Sequence, residues 1–133
     1  MNFVSEKGFE VIQKILSLME NGYLKLDSKR GYMPLVVENV DCYTTSSGSE
    51  FQIISFAHYG NCEGDLMADP EMLFWICKEK GTAFATYYKN DWAGVEQYSV
   101  IVDDGKLRWN QKLQKSHAEF AELWLNNIKE QQF

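Results

Sequence analysis

The fold is decided by residues 51–59, which read FQIISFAHY. Apolar side chains occupy both alternating sets of positions, with Phe51 and Ile53 in one set and Ile54 and Phe56 in the other. Successive side chains of a strand point to opposite faces of a sheet, so both faces of this strand carry apolar groups. A strand with two apolar faces is typical of the interior of a sheet, and we predict the central strand here.

Strand patterns continue on both sides of this segment, separated by turns that contain Gly, Asn, Asp or Ser. The tight turn Asp104-Gly105 is of the hairpin kind. The polar stretch 60–70 is predicted to be a loop between two strands. Consecutive strands joined by short connections favour an antiparallel meander. The predicted strands cover residues 23–27, 35–43, 51–59, 71–78, 82–90, 96–102 and, as a short strand, 106–109.

Both ends of the chain carry the spacing of amphipathic helices. The first helix is capped by Asn2 or Ser5 and stopped at Asn21-Gly22, and the last one is capped by Asn110. The predicted fold class is therefore α+β: an antiparallel meander of five to six strands, with an N-terminal and a C-terminal helix packed on one face. Residues 1–133 are predicted to form a single domain. The helix residues predicted to be buried against the sheet are Phe9, Ile12, Leu16, Phe120, Trp124 and Ile128.

The negative charge is concentrated in the middle of the chain. The formal net charge is −6, and residues 31–77 hold seven acids and no Lys or Arg. A nucleic-acid binder needs a basic surface, so we expect no direct contact with nucleic acid. The acidic block permits a basic protein partner, a bound cation or mimicry of nucleic acid. It is also compatible with acids that only keep the chain in solution.

The sequence gives further expectations about location and cofactors. No apolar run approaches the roughly 20 residues of a membrane span, and no secretory signal is visible. The cysteines, Cys42, Cys62 and Cys77, are odd in number and form no C-x-x-C pair, so we expect no disulfide and a reducing cytoplasm. Phosphate-binding glycine motifs and the serine-hydrolase elbow are absent, and no cofactor is expected.

One candidate site is the polar segment 58–71, which reads HYGNCEGDLMADPE. Carboxylates and an imidazole so close together could hold a hard cation or act as acid–base groups. The spacing matches neither an EF-hand nor a zinc set, so the metal is unknown and no catalytic residue is assigned. The same residues could instead end strands and cap turns. The binding residues predicted from this segment are His58, Glu63, Asp65, Asp69 and Glu71.

A second candidate site is the segment 87–98, which reads YYKNDWAGVEQY. Adjacent tyrosines point to opposite faces of a strand, so one is in the core and one outside. A tryptophan in a loop beside acids has the composition of a protein interface. The alternative is that Trp92 folds back as a lid over the core. We predict that Tyr88, Asp91 and Trp92 contribute to binding.

Three strings carry a resemblance to a known family: ISFAHYGNCEGDLMADPEMLF, YYKNDWAGVEQYSV and LQKSHAEFAELWLNNIKEQQF. They cover roughly residues 51 to 133. They resemble an uncharacterised domain-of-unknown-function family found in conjugative elements, plasmids and phages of gut bacteria. The resemblance implies no activity. It implies a setting, the accessory genes of mobile elements.

Two functions remain open at this point. In the first, this is a small acidic cytosolic accessory protein of a mobile genetic element that acts by binding a protein, for instance by inhibiting a host defence that handles nucleic acid. In the second, it is a carboxylate-based enzyme or ligand-binding protein, with or without a metal ion, that uses the 58–71 segment. The first is favoured, with no membrane contact and with the oligomeric state left open. A structural subunit without a site is a third possibility.

Overall fold

Six strands that follow one another along the chain pair with their neighbours in one antiparallel sheet. The structure, a computed structural model, describes residues 1–133. A two-stranded hairpin follows the sheet, and a helix stands at each end of the chain. The elements are α1 (Glu6–Leu18), β1 (Tyr23–Leu26), β2 (Leu35–Thr44), β3 (Glu50–Cys62), β4 (Asp65–Cys77), β5 (Thr82–Asn90), β6 (Val95–Tyr98), β7 (Val100–Asp103), β8 (Lys106–Trp109) and α2 (Gln111–Gln132). The predicted α+β meander with two terminal helices is confirmed.

The two helices cover one face of the sheet and form the main core with it. Their caps include two that the sequence predicts: Ser5 Oγ accepts from the N–H of Gly8, and Asn110 Oδ1 accepts from the N–H of Leu113. Of the six helix residues predicted to be buried, four are buried, and Leu16 and Phe120 are half-buried at the edge of the core. Burial of these apolar stripes is the main force that holds the helices on the sheet.

The opposite face of the sheet is only partly covered. The hairpin β7–β8 and the N-terminal residues pack there against Trp75 and Phe84 in a second, smaller cluster. Tyr43, which belongs to this cluster, donates a hydrogen bond to the Gly105 carbonyl in the hairpin turn (3.3 Å). The rest of this face carries no covering element, and the exposed rings of Tyr23 and Tyr98 lie on it.

The predicted loop at residues 60–70 is wrong. These residues extend β3 and β4 into a hairpin whose turn is Glu63-Gly64. Both turn residues have positive φ, 53° and 93°, which is the requirement of a two-residue type I′ turn. The polar composition that suggested a loop belongs instead to strand ends that project past their neighbours, with residues 63–66 exposed at the tip.

The predicted strand 96–102 is also corrected, because it is two strands. β6 pairs with β5 and β7 pairs with β8. Ser99 between them is buried, and its hydroxyl hydrogen-bonds to Nδ1 of His117 on α2 (2.7 Å). This contact anchors the point at which the chain leaves the sheet. Neither helix combines the length and the apolar character needed to cross a bilayer. All three cysteines are free.

Candidate functional site

The end of the β3–β4 hairpin extends beyond the rest of the sheet. Pairing between β2 and β3 stops at Leu35 and His58, and pairing between β4 and β5 stops at Glu71 and Lys89. Residues 59–68 therefore form a projecting hairpin with no strand beside them. The turn after β5 lies against it, where the Asp91 N–H donates to the Ala68 carbonyl (2.9 Å) and the Ala68 N–H donates to Asp91 Oδ2 (2.7 Å).

Trp92 lies on this projecting hairpin and remains in contact with water. A Cβ placed on Gly60 would lie 3.7 Å from the indole Nε1 of Trp92 and 3.5 Å from the sulfur of Met33. Because Gly60 has no side chain, the indole can pack directly against the backbone of the hairpin. Trp92 is still 55% exposed. The interpretation of this residue as a lid over the core is therefore wrong, and its role in a protein interface stays a prediction.

The uncovered part of the sheet face is called the open face below. The strand register places its side chains in two rows that cross the sheet, and Tyr59 follows on the same face of β3. Neighbouring positions within a row are close enough for their side chains to interact. The first row is Tyr23, Glu38, Ser55, Leu73, Tyr87 and Tyr98, and the second row is Lys25, Val36, Ala57, Glu71, Lys89 and Glu96.

Two carboxylates of the open face are oriented by hydroxyl groups. Ser55 Oγ donates to Oε2 of Glu71 at 2.7 Å, and the hydroxyl of Tyr87 donates to Oε2 of Glu96 in a short hydrogen bond. The donors are themselves held rigidly, since Ser55 and Tyr87 are 6% exposed. Each glutamate keeps its second oxygen without a hydrogen bond from the protein, so each can accept from an external donor.

The carboxylates of this face act on its tyrosines. Burial raises the pKa of the Tyr59 hydroxyl, and the nearby carboxylates of Glu71, Glu38 and Asp91 raise it further because they oppose a second negative charge. Burial also raises the pKa of Tyr87, which its hydrogen bond to Glu96 raises further. Both tyrosines are therefore neutral hydrogen-bond donors at physiological pH.

The acids of the middle segment have no basic partners within the chain. The two ion pairs are Lys89 with Asp91 (3.5 Å) and Arg108 with Asp103 (3.4 Å). None of the seven acids in residues 31–77 takes part in either. Lys89 lies between Glu71 and Glu96 in the register, and it pairs with Asp91 instead of with either glutamate. The charge excess found in the sequence is thus an unneutralised surface.

His58 and Tyr88, two of the predicted binding residues, lie on the other side of the sheet. The indole N–H of Trp124 can only donate, so it fixes His58 Nδ1 as an acceptor (3.1 Å). His58 Nε2 then carries the proton and donates to Oε1 of Gln132 (3.0 Å). Burial lowers the pKa of His58. With both nitrogens engaged and 3% exposure, His58 is a core residue that joins α2 to β3.

Tyr88 packs under α2, where its ring centroid lies 5.2 Å from that of Phe120. The two adjacent tyrosines do point to opposite faces, as predicted. However, it is Tyr87, not Tyr88, that belongs to the open face, and because Tyr87 is itself buried (6% exposed), the prediction that one of the two lies outside is wrong. The sequence pattern establishes the alternation, but it does not indicate which of the two positions faces the helices.

The five remaining predicted residues lie along the projecting hairpin and the open face. Glu63 and Asp65 are exposed at the hairpin tip. Asp69 is half-buried and accepts a hydrogen bond from the side-chain amide of Asn90 (3.0 Å). Glu71 is on the open face, Asp91 lies at its border near Tyr59, and Trp92 lies against Gly60, on the side of the projecting hairpin opposite Tyr59. Nowhere in the chain do three His, Cys, Asp or Glu side chains converge in a way that could hold a metal ion.

Sequence reasoning missed several members of this surface. Glu38, Ser55, Tyr59, Tyr87 and Glu96 come from four strands and have no common motif. Only the strand register shows that these residues are neighbours, and the register is set by the turns and bulges of the folded sheet. One signal of the open face is present in the sequence, namely the alternation in β4. There Glu71, Leu73 and Trp75 alternate with the fully buried residues Met72, Phe74 and Ile76.

Together, the fold and this surface define a class: a small α+β protein whose meander sheet is covered by helices on one face and is acidic and partly bare on the other. The family described as domain of unknown function (DUF6908) matches residues 7–133. The chain belongs to this family, which confirms the resemblance to an uncharacterised family and extends it toward the N-terminus. Comparisons with curated proteins and with solved structures gave no match.

Proposed function

We propose that this protein acts by binding a protein partner that carries a basic surface. The acidic surface used for binding consists of the open face and the projecting hairpin with Trp92. One observation carries the proposal: a tryptophan that is 55% exposed lies on the projecting hairpin, and none of the seven acids of residues 31–77 forms an ion pair within the chain. An interface would remove the indole from water and neutralise the carboxylates.

The energetics of interfaces support this assignment. Tryptophan is among the residues most enriched at the energetic centre of protein interfaces. Packing of the Trp92 ring against Gly60 restricts the ring before binding, which lowers the entropy lost on binding. The carboxylates of the open face that form no ion pair accelerate encounter with a basic partner and select against acidic ones. The surface combines an apolar anchor with charged groups, which is the usual anatomy of an interface.

The setting is part of the same proposal. The resemblance to proteins of conjugative elements, plasmids and phages suggests an accessory protein of a mobile element. In that setting, a basic partner is readily found among proteins that handle nucleic acid, since their binding grooves are rich in Lys and Arg. Blocking such a groove would inhibit a host defence without any catalytic step.

The alternative, an enzyme built on the 58–71 segment, has less support. Its only imidazole, His58, is buried with both ring nitrogens in hydrogen bonds. The acids of the segment are spread along a hairpin and do not converge as metal ligands. A catalytic site would require these groups to meet around one substrate, and here they line an extended surface.

The test is affinity capture from a bacterial lysate, followed by binding measurements with the purified partner. The variant Trp92→Ala removes the anchor. Trp109→Ala is the matched control, because Trp109 is also a partly exposed tryptophan (42%) but lies on β8. We expect Trp92→Ala to weaken binding by about 30-fold or more, the loss of one hot-spot residue, and Trp109→Ala to leave it unchanged.

Salt dependence provides a second measurement in the same experiment. Attraction between exposed charges is screened as ionic strength rises, so the affinity should fall between low salt and physiological salt. Equal binding by wild type, Trp92→Ala and Trp109→Ala would contradict the proposal. Retention only of acidic partners, with no salt dependence, would contradict it as well.

A further inference from the structure

We infer that the open face receives an arginine side chain from the partner, seated between Glu71 and the tyrosine rings. This inference rests on the proposed function and specifies the chemistry of its partner. It concerns an unpartnered part of the sheet, since the β7–β8 hairpin and the helices cover the sheet elsewhere. The occupant is identified by charge and by the geometry of the groups that line this face.

The charges of this face select a cation. Glu38, Glu71 and Glu96 all point to it, and Asp91 stands at its border. The two bases on it are Lys25, exposed at the β1 edge, and Lys89, which pairs with Asp91. The three glutamates form no ion pair, and together with Asp91 they outnumber the two lysines of this face. An anionic ligand would meet repulsion here, and a cation would be attracted.

The glutamates are oriented for a donor with several N–H groups. Ser55 holds one oxygen of Glu71 and Tyr87 holds one oxygen of Glu96, so the free oxygen of each is fixed in place. A guanidinium presents N–H donors in a planar fork that matches carboxylate geometry. Preorganised acceptors lower the entropy lost when the fork binds.

The tyrosine rings favour arginine over lysine. The rings of Tyr87 and Tyr98 lie 4.7 Å apart between centroids with an interplanar angle of 58°, and Tyr98 is 57% exposed. Cations are attracted to the face of an aromatic ring. A guanidinium can also stack flat on such a ring and is more weakly hydrated than an ammonium group, so it loses less on leaving water.

The test uses short peptides and the full-length protein, with no partner present. The probe is acetyl-Gly-Arg-Gly amide, compared with peptides that carry lysine or citrulline at the central position. Citrulline has nearly the shape of arginine without its charge. We expect the arginine peptide at low salt to shift backbone amide NMR signals around Ser55, Glu71 and Tyr87. The lysine peptide should bind more weakly, and the citrulline peptide should cause no shifts.

Variants distinguish binding of the arginine peptide at this site from general charge attraction. Glu71→Gln should weaken binding of the arginine peptide by about tenfold, as expected for loss of a hydrogen bond to a charged group. Glu50→Gln removes an exposed acid of the same base-free segment at the far end of β3 and should have no effect. Tyr98→Ala removes a ring that is 57% exposed, and it should also weaken binding.

Two results would overturn the inference: equal shifts from the arginine and citrulline peptides, or equal effects of Glu71→Gln and Glu50→Gln. Loss of binding in Glu71→Gln with no change in Tyr98→Ala would contradict the role of the rings. Failure here is distinguishable from failure of the proposed function. The peptide test does not involve Trp92, whereas partner capture is judged by Trp92→Ala, so each can fail while the other succeeds.

Discussion

At the scale of single residues, His58 connects three parts of the fold through hydrogen bonds. Trp124 donates to its ring, its ring donates to Gln132, and the Gln132 amide donates to the carbonyl of Met33. The relay satisfies polar groups that burial would otherwise penalise by about 1–3 kcal/mol each. The sequence predicts a histidine on this face of β3 but not its partners, because Gln132 is 74 residues away along the chain.

The first prediction concerns pH. Burial lowers the pKa of both His58 and His117 below the ordinary value of 6.5. Below that pH the unfolded chain takes up protons that the folded chain does not, so these groups make the free energy of unfolding fall as pH decreases from 7 to 5. Above pH 7 both states are neutral at these positions, and the contribution is constant.

Urea unfolding at pH 7, 6 and 5 measures this effect. His117→Gln removes one titrating group and can keep a hydrogen bond to Ser99, so its loss of stability between pH 7 and pH 5 should be smaller than that of the wild type. The comparison cancels the contribution of the carboxylates, which both proteins share. Equal pH dependence in the two proteins would contradict the assignment of His117 as a buried neutral histidine.

The second prediction separates two acids of the projecting hairpin. Asp65 is exposed at the tip, so Asp65→Asn should change stability by less than about 0.5 kcal/mol. Asp69 accepts a hydrogen bond from Asn90, so Asp69→Ala should cost about 1 kcal/mol, whereas Asp69→Asn keeps an acceptor and should cost less. Chemical denaturation of the three variants checks the order. If Asp65→Asn were the most damaging, the placement of the tip in solvent would be wrong.

At the scale of elements, the helices were predictable and the hairpin ends were not. The stripe spacing and the cap residues of α1 and α2 are local properties, so the sequence indicates them directly. The continuation of β3 and β4 through residues 60–70 depends on pairing between two strands that are both polar there. Composition alone favours a loop for such a segment, and only the Glu63-Gly64 turn could have suggested a hairpin.

The third prediction concerns the crossing of α1 and α2 at Gly8. A Cβ at this position would lie 2.6 Å from Val4 Cγ1 and 3.2 Å from Leu125 Cδ1. Gly8→Ala should therefore destabilise the protein by about 1–3 kcal/mol, as overpacking does, even though alanine favours a helix. The matched control is Gly60→Ala, where the added methyl makes only ordinary contacts and the backbone needs no positive φ. Thermal unfolding that ranks Gly60→Ala as the more destabilised would refute this account of the crossing.

The fourth prediction concerns Trp124, which is 3% exposed between α2 and the sheet. Trp124→Ala should cost about 3–5 kcal/mol, the usual range for truncation of a large buried aromatic residue. Trp124→Phe fills most of the volume but leaves Nδ1 of His58 without its donor, so an intermediate loss is expected. Denaturant titration of both variants gives the comparison, and a loss below about 1 kcal/mol for alanine would place Trp124 outside the core.

At the scale of the whole molecule, sequence patterns predict the layers but not the binding surface. Alternation within each strand and the helix stripes are sufficient for a meander with helices on one face. Which part of the other face stays bare depends on where β7–β8 folds back, which is a property of the tertiary structure. The concentration of acids in residues 31–77 was visible in the sequence, and the fold shows that these acids remain unpaired.

The most direct test of the central claim is hydroxyl-radical footprinting of the protein alone and in complex with its captured partner. The acidic surface predicts that Trp92, Tyr23 and Tyr98 lose reactivity on binding. Trp109 on β8 and Leu123 on the outer side of α2 are exposed controls (42% and 61%) and should keep theirs. Protection of Leu123, with Trp92 and Tyr98 unchanged, would show that the helices form the interface and would contradict the account.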